Sequence, residues 1–205
     1  FVNEKIKSYD PRISANLKDV ILKLDLSKSF VNINTKNVKF YIDSKFIDIS
    51  EIEVNLDLFK FIRNKNSIKE IKIISQKNFL KNVTDFLNIY NFNLPRFIIY
   101  NQIQSGNIEA EANITFANED LKNLKFEVNG QISDTNINIL NKQSVNNINL
   151  NFNIKDKLIS LDNVRLQYEG ADVKSKNITI TNLGNEFKIS GDLESEKISL
   201  EPNSL

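Results

Sequence analysis

Three observations predict an all-β, mainly antiparallel fold, a curved and open amphipathic sheet with one α-helix near residues 78–91. The first is strict alternation. Residues 146–154 read Asn-Asn-Ile-Asn-Leu-Asn-Phe-Asn-Ile, which puts Ile148, Leu150, Phe152 and Ile154 on one side of a strand and Asn147, Asn149, Asn151 and Asn153 on the other. The second is that this texture recurs along most of the chain, with little helical spacing to cover the apolar side. The third is an internal echo. Phe126-Glu127-Val128-Asn129-Gly130-Gln131-Ile132 and Phe187-Lys188-Ile189-Ser190-Gly191-Asp192-Leu193 share one pattern at an offset of 61 positions, read as a repeat of five strands.

Four strands are expected first, Leu17 to Leu26, Val31 to Ile42, Phe46 to Phe61 and Ile68 to Ile74. In the third, Ile47 and Ile49 give way to Ile52, Val54, Leu56 and Leu58, a one-residue phase slip at Ser50-Glu51 that predicts a bulge. Asp43-Ser44-Lys45 and Asn66-Ser67 supply the turns. The period then changes. Residues 79, 80, 83, 86, 87 and 90 follow helical spacing, and Asn78 stands where an N-cap belongs. The apolar stripe of this helix is expected to plug one end of the sheet; a surface-lying membrane helix is the alternative, but the usual cationic flank is missing. After Leu94-Pro95 strands resume, expected at 124–132, 135–140, 146–155, 158–168 and 172–182. Gly130 and Gly191 fall at matching places in the echo, where a missing side chain permits tight coiling or close backbone approach; a local bulge is the competing explanation.

The chain has 205 residues, 40% hydrophobic and 26% charged, the balance of a folded protein. It divides into residues 1–92, a strand region ending in the helix, and a repeat region, 93–205, continuous with it. Lys, Asn and Ile are abundant, a bias that an AT-rich coding sequence produces alone, so the asparagines carry no functional weight as a class. No residue is Cys or His. That removes disulfides, thiolate metal sites, a cysteine nucleophile, the Ser-His-Asp triad and His-ligated zinc. Net charge is +1 overall, but +6 over residues 1–100 and −5 over the rest. A positive first half favours an anionic membrane surface, against the plainer reading of two solvated faces. No apolar run reaches the length of a membrane span, and no signal-peptide arrangement is present. The sequence begins at Phe1 and reads as an excerpt of a longer or processed chain, with any anchor outside it.

Chemistry-bearing motifs are few. There is no phosphate loop, dinucleotide fingerprint or nucleophile elbow. Glu109 with Glu111 and Glu51 with Glu53 share strand faces, but among solvent-facing polar residues, so no catalytic residue is expected and the protein is read as non-enzymatic. Asn118-Glu119-Asp120 lacks the pattern of a calcium loop, leaving no metal or cofactor expected. The 14 Phe and 5 Tyr mostly fall in the apolar phase of strands, which speaks against nucleic acid. Asn82, Asn113 and Asn177 head glycosylation sequons that arise freely in an Asn-rich chain.

A sheet with one apolar face must bury it against a second layer, close on itself, or coat something apolar. A curled, open groove leaves room for an acyl chain. At about 0.8 kcal/mol per methylene, sixteen carbons contribute on the order of 10 kcal/mol before costs, with the headgroup left in water and no specific polar residue required.

Residues 46–58, Phe-Ile-Asp-Ile-Ser-Glu-Ile-Glu-Val-Asn-Leu-Asp-Leu, followed by Ser67-Ile68-Lys69-Glu70-Ile71-Lys72-Ile73, resemble the AsmA-like family of bacterial envelope proteins. Leu158-Ile159-Ser160-Leu161-Asp162-Asn163-Val164, Gly170-Ala171-Asp172-Val173 and Phe187 to Leu193 are similar to strand repeats of the same group, which includes TamB-type and DUF3971-type proteins. The resemblance implies a repeating β-groove, a periplasmic location in a Gram-negative bacterium and an anchor in the inner membrane outside this stretch. It further implies a conduit for phospholipid transfer between inner and outer membranes, supporting outer-membrane biogenesis. The expected partners are phospholipid acyl chains, the inner membrane and, as a further class, outer-membrane proteins. Groove-facing positions are expected to be Phe126, Val128, Ile148, Leu150, Phe152, Ile154, Val164, Leu166, Phe187 and Ile189, with Phe152→Asp blocking passage and Asn151→Asp nearly silent. The alternatives are an envelope assembly factor acting by strand addition and a passive β-sandwich of a surface protein.

Overall fold

The computed structural model describes residues 4, 7, 10–27, 29–43, 45–63, 67–90, 101–116, 124–139, 142–182 and 186–195. Strands β1 (Ile13–Asp25), β2 (Phe30–Ile42) and β3 (Lys45–Asp57) are followed by a short helix α1 (Leu58–Ile62), then β4 (Ile68–Ser75), β5 (Asn78–Phe79) and helix α2 (Leu80–Tyr90). The remaining strands are β6 (Ile103–Phe116), β7 (Leu124–Ile139), β8 (Gln143–Lys155), β9 (Leu158–Tyr168), β10 (Ala171–Asn182), β11 (Phe187–Gly191) and β12 (Glu194–Ser195). Hydrogen bonds link them in the order β1-β2-β3-β4-β6-β7-β8-β9-β10-β11, with β5 paired to β6 and β12 to β10. The recorded registers are antiparallel. Among the described residues no ladder joins β1 to β11, so the sheet is open, as expected. The chain packs as two compact units, Phe1–Asn78 with Glu109–Asn129, and Phe79–Ile108 with Gly130–Leu205; β6 and β7 contribute to both.

Five of the long strands carry a one-residue slip in their interior, and these slips share a cause. Asp19 in β1, Asn37 in β2, Asp134 in β7, Asn147 in β8 and Asn163 in β9 all have φ between 51° and 54°. Asp and Asn tolerate this left-handed conformation better than other side chains. Each sits where the apolar alternation changes phase: Ile159 and Leu161 before Asn163, Val164 and Leu166 after it. The inserted residue keeps both halves on one face. In the first unit the β1/β2 register shifts at Asp19 and Asn37; in the second the β8/β9 register shifts at Asn147 and Asn163. The predicted bulge at Ser50-Glu51 is present, and Ser50 Oγ donates to the Ile74 carbonyl at 2.8 Å. Neighbouring asparagines serve the displaced amides: the Asp134 N–H donates to Asn149 Oδ1 at 3.2 Å and the Asn147 N–H to Asn136 Oδ1 at 2.9 Å. Several asparagines thus have a structural role that composition concealed.

Four expectations need correcting. The third strand ends at Asp57, not Phe61, because its rung with Phe30 is the first of β2; beyond it no ladder partner remains, and Asp57 accepts the Lys60 N–H at 3.1 Å to cap α1. Residues 124–132 and 135–140 belong to one strand, β7, because Ser133-Asp134 is a bulge and not a turn. The 61-residue offset consequently spans four strands, and an even number preserves strand direction between β7 and β11 where five would reverse it. Finally, Asn78 does not begin the helix. It lies in β5, where its amide accepts the Asp48 N–H at 2.7 Å and donates to the Asp48 and Gln76 carbonyls at 2.8 Å.

Candidate functional site

In the second unit the cross-strand register assembles an apolar surface from rows. Ile154 pairs with Ile159, Ile159 with Ile180 and Ile180 with Ile189; Phe152 pairs with Leu161 and Leu161 with Ile178. Paired residues point to the same face. The opposite face runs Asn153, Ser160, Thr179, Ser190, with Asn177 Nδ2 donating to Asp162 Oδ1 at 2.7 Å.

Burial along these rows is graded. Ile148, Phe152 and Val164 are buried, Leu150, Ile154 and Leu166 half-buried, and Phe187 and Ile189 67% and 68% exposed. Of the ten expected groove positions, these eight lie in the second unit. Phe126, at the margin of exposure, and half-buried Val128 lie in the first. The expectation omitted Ile159, Leu161, Ile178 and Ile180, which complete the rows. Only the bulge at Asn163 puts Ile159 and Leu161 on the face of Val164, and single-phase alternation hides this.

The first unit builds an equivalent surface that the expected list did not contain. Leu22 pairs with Ile33, Ile33 with Val54, Val54 with Ile71 and Ile71 with Ile114. Val31, Val38, Ile49 and Leu56 are buried in its middle, whereas along β1 Val20, Leu22 and Leu24 are 58%, 62% and 53% exposed. The apolar face therefore continues outward from a buried centre to exposed residues on an outer strand, over the second half of β1, whose Ile13 and Ala15 are buried, in the first unit, and along β11 in the second. In helix α2 Leu80 is buried, Val83 and Phe86 half-buried and Leu87 exposed, and Phe79 of β5 just before it is exposed.

The polar face of the first unit is a hydrogen-bonded lattice. Asn32 Nδ2 donates to Glu53 Oε1 and Asn55 Oδ1 at 2.6 and 2.8 Å, and Lys72 pairs with Glu111 at 2.8 Å. The Lys72 ammonium, aided by the Asn113 amide, holds the Glu111 carboxyl below its usual range, and Glu111 in turn raises Lys72. A carboxylate so stabilised is poorly suited to general-acid work. Among the described residues no three acidic side chains gather as a cation site requires, and no helix is long and apolar enough to cross a membrane. A depression of about 180 Å³ beside the Asn163 bulge is bordered mainly by Gln131, Ser133, Asn149, Asn151 and Arg165. It is smaller than the ~300–1,000 Å³ usual for ligand pockets; a depression of about 440 Å³ in the first unit, bordered by Asn16, Lys18, Lys39, Tyr41 and Asp48, and one of about 350 Å³ in the second, bordered by Asn177, Thr179, Ser190 and Asp192, reach that range but lie among polar residues. Comparison with protein-family models, curated proteins and solved structures finds no match.

Proposed function

We propose that the protein is a non-enzymatic lipid-binding module of the AsmA-like kind, whose apolar sheet face receives phospholipid acyl chains and passes them between the membranes of a Gram-negative envelope. The observation that carries this reading is the exposure, within the first unit, of Leu22 on the face of buried Val31 and, within the second, of Ile189 on the face of buried Phe152. A closed sandwich would bury such residues; a surface that coats hydrocarbon leaves them for its cargo. Each row crosses strands about 4.8 Å apart, so four isoleucines from Ile154 to Ile189 offer roughly 14 Å of continuous aliphatic surface.

The test compares adjacent residues of β11. Ile189→Asp charges the apolar face at an exposed position, and Ser190→Asp charges the other face. Binding of a phospholipid with a fluorescent acyl chain is expected to fall at least about tenfold in the first, from the cost of burying an unpaired charge, and to change little in the second. Equal binding by the two variants would overturn the reading. Phe152→Asp is a poor probe, because Phe152 is buried and a charge there attacks the fold itself.

A further inference from the structure

One end of the first unit bears an apolar tip that the sheet face does not explain. Phe59, Phe61 and Ile62 of α1 are 59%, 48% and 68% exposed, and Leu26 just beyond β1 is 71% exposed. One backbone bond ties the tip to the start of β2, the Leu58 N–H donating to the Ser29 carbonyl at 3.0 Å, and the Arg63 N–H closes α1 on itself through the carbonyls of Phe59 and Lys60 at 3.3 and 3.1 Å. Rungs from Asp25 to Phe30 and from Phe30 to Asp57 bring the end of β1 and the start of α1 to the same edge of the fold. The tip alternates apolar and cationic residues, Leu58-Phe59-Lys60-Phe61-Ile62-Arg63, without an acid.

We propose that this tip docks the protein on an anionic phospholipid surface, with Phe59, Phe61 and Ile62 entering the acyl boundary and Lys60 and Arg63 at the phosphates. Charge complementarity selects that occupant. Size does so independently: four partly exposed apolar side chains, at ~150–250 Å² for a whole aromatic and less for an aliphatic, fall short of the ~800 Å² per partner of a stable protein interface. A bilayer demands no matching shape, and flexible cationic stems reach its headgroups while rings sink below them.

The full chain is sedimented with vesicles of phosphatidylcholine alone or mixed with phosphatidylglycerol. Binding is expected on the mixed vesicles only. Phe59→Ser with Phe61→Ser should weaken it at least about tenfold. Lys60→Gln with Arg63→Gln should weaken it about thirty-fold, the loss of two cations near an anionic surface. The chain has no Trp, so Phe59→Trp gives a single tryptophan whose emission, excited apart from the five Tyr, should shift to the blue on mixed vesicles. Ile189→Asp, which tests the acyl-binding face, should sediment as wild type does, so the two proposals fail separately. Equal binding to both vesicle types, unchanged binding of the Phe double variant, or no blue shift would overturn the inference.

Discussion

Replacement of Asn163 by valine, with glycine as the counterpart, tests whether left-handed bulges keep the apolar face in register. Asn163 has φ +54° and an exposed side chain, so substitution there removes little packing. A non-glycine residue in this conformation costs roughly 1–2 kcal/mol, and a β-branched one lies at the upper end because its branched Cβ crowds the backbone. Glycine relieves the strain but loosens the unfolded chain by roughly 0.4–1 kcal/mol, so the two effects nearly cancel. Urea unfolding followed by circular dichroism should therefore rank Asn163→Gly close to wild type and Asn163→Val about 2 kcal/mol below it. Valine has the higher strand propensity, so if residue 163 were ordinary strand the order would reverse. A valine variant as stable as the glycine variant would refute the bulge argument. Asp134, Asn147 and Asn163 changed together to valine should lose on the order of 3–6 kcal/mol, a large part of an ordinary domain's stability of about 5–15 kcal/mol, while the triple glycine variant stays folded.

Gly106 has φ +142°, and a Cβ there would stand 2.0 Å from Thr135 Oγ1 and 2.8 Å from its Cβ, so Gly106→Ala should destabilise by at least about 2 kcal/mol in the same assay. Gly191→Ala should also destabilise, since its Cβ would meet the Asn177 carbonyl oxygen at 2.7 Å, and a neutral result would contradict the close backbone approach. The Lys72–Glu111 pair predicts a pH response. Glu111 titrates below its reference value of 4.5, so the pair adds stability above that pH and loses it as pH falls through the lowered folded value. Lys72 titrates above 10.5, so the same contribution is present below that pH and lost as pH rises through the raised value. Glu111→Gln should flatten both limbs of the urea midpoint measured against pH.

Much of this fold is legible because alternation marks strands residue by residue. Ile148 to Ile154 need no partner to declare their two faces, and the slip at Ser50-Glu51 announces its bulge. What escapes is tertiary. The end of β3 depends on Phe30 lacking a neighbour past Asp57, a fact located 27 residues away in the chain. Ser133-Asp134 looks like a turn because turns and left-handed bulges draw on the same residue types. Asn78 fits an N-cap locally but serves the backbone of β3 instead. The echo's glycines also diverge: Gly191 takes a positive φ at a strand end, while Gly130 lies inside β7 without one. The face of the candidate site could be read from sequence, but its gradient could not. Phe152 and Ile189 are equally apolar in the pattern, and only the strand order makes one a centre and the other a rim.

Native mass spectrometry of the full chain, purified gently from a Gram-negative host's envelope, addresses most directly whether hydrocarbon occupies the apolar face. The expected spectrum contains protein carrying phospholipid of mixed headgroups, with the lipid-bound fraction sharply reduced in Ile189→Asp and retained in Ser190→Asp. Lipid-free wild-type protein, recovered folded and with Leu22 and Ile189 still solvent-accessible to covalent labelling, would contradict the account.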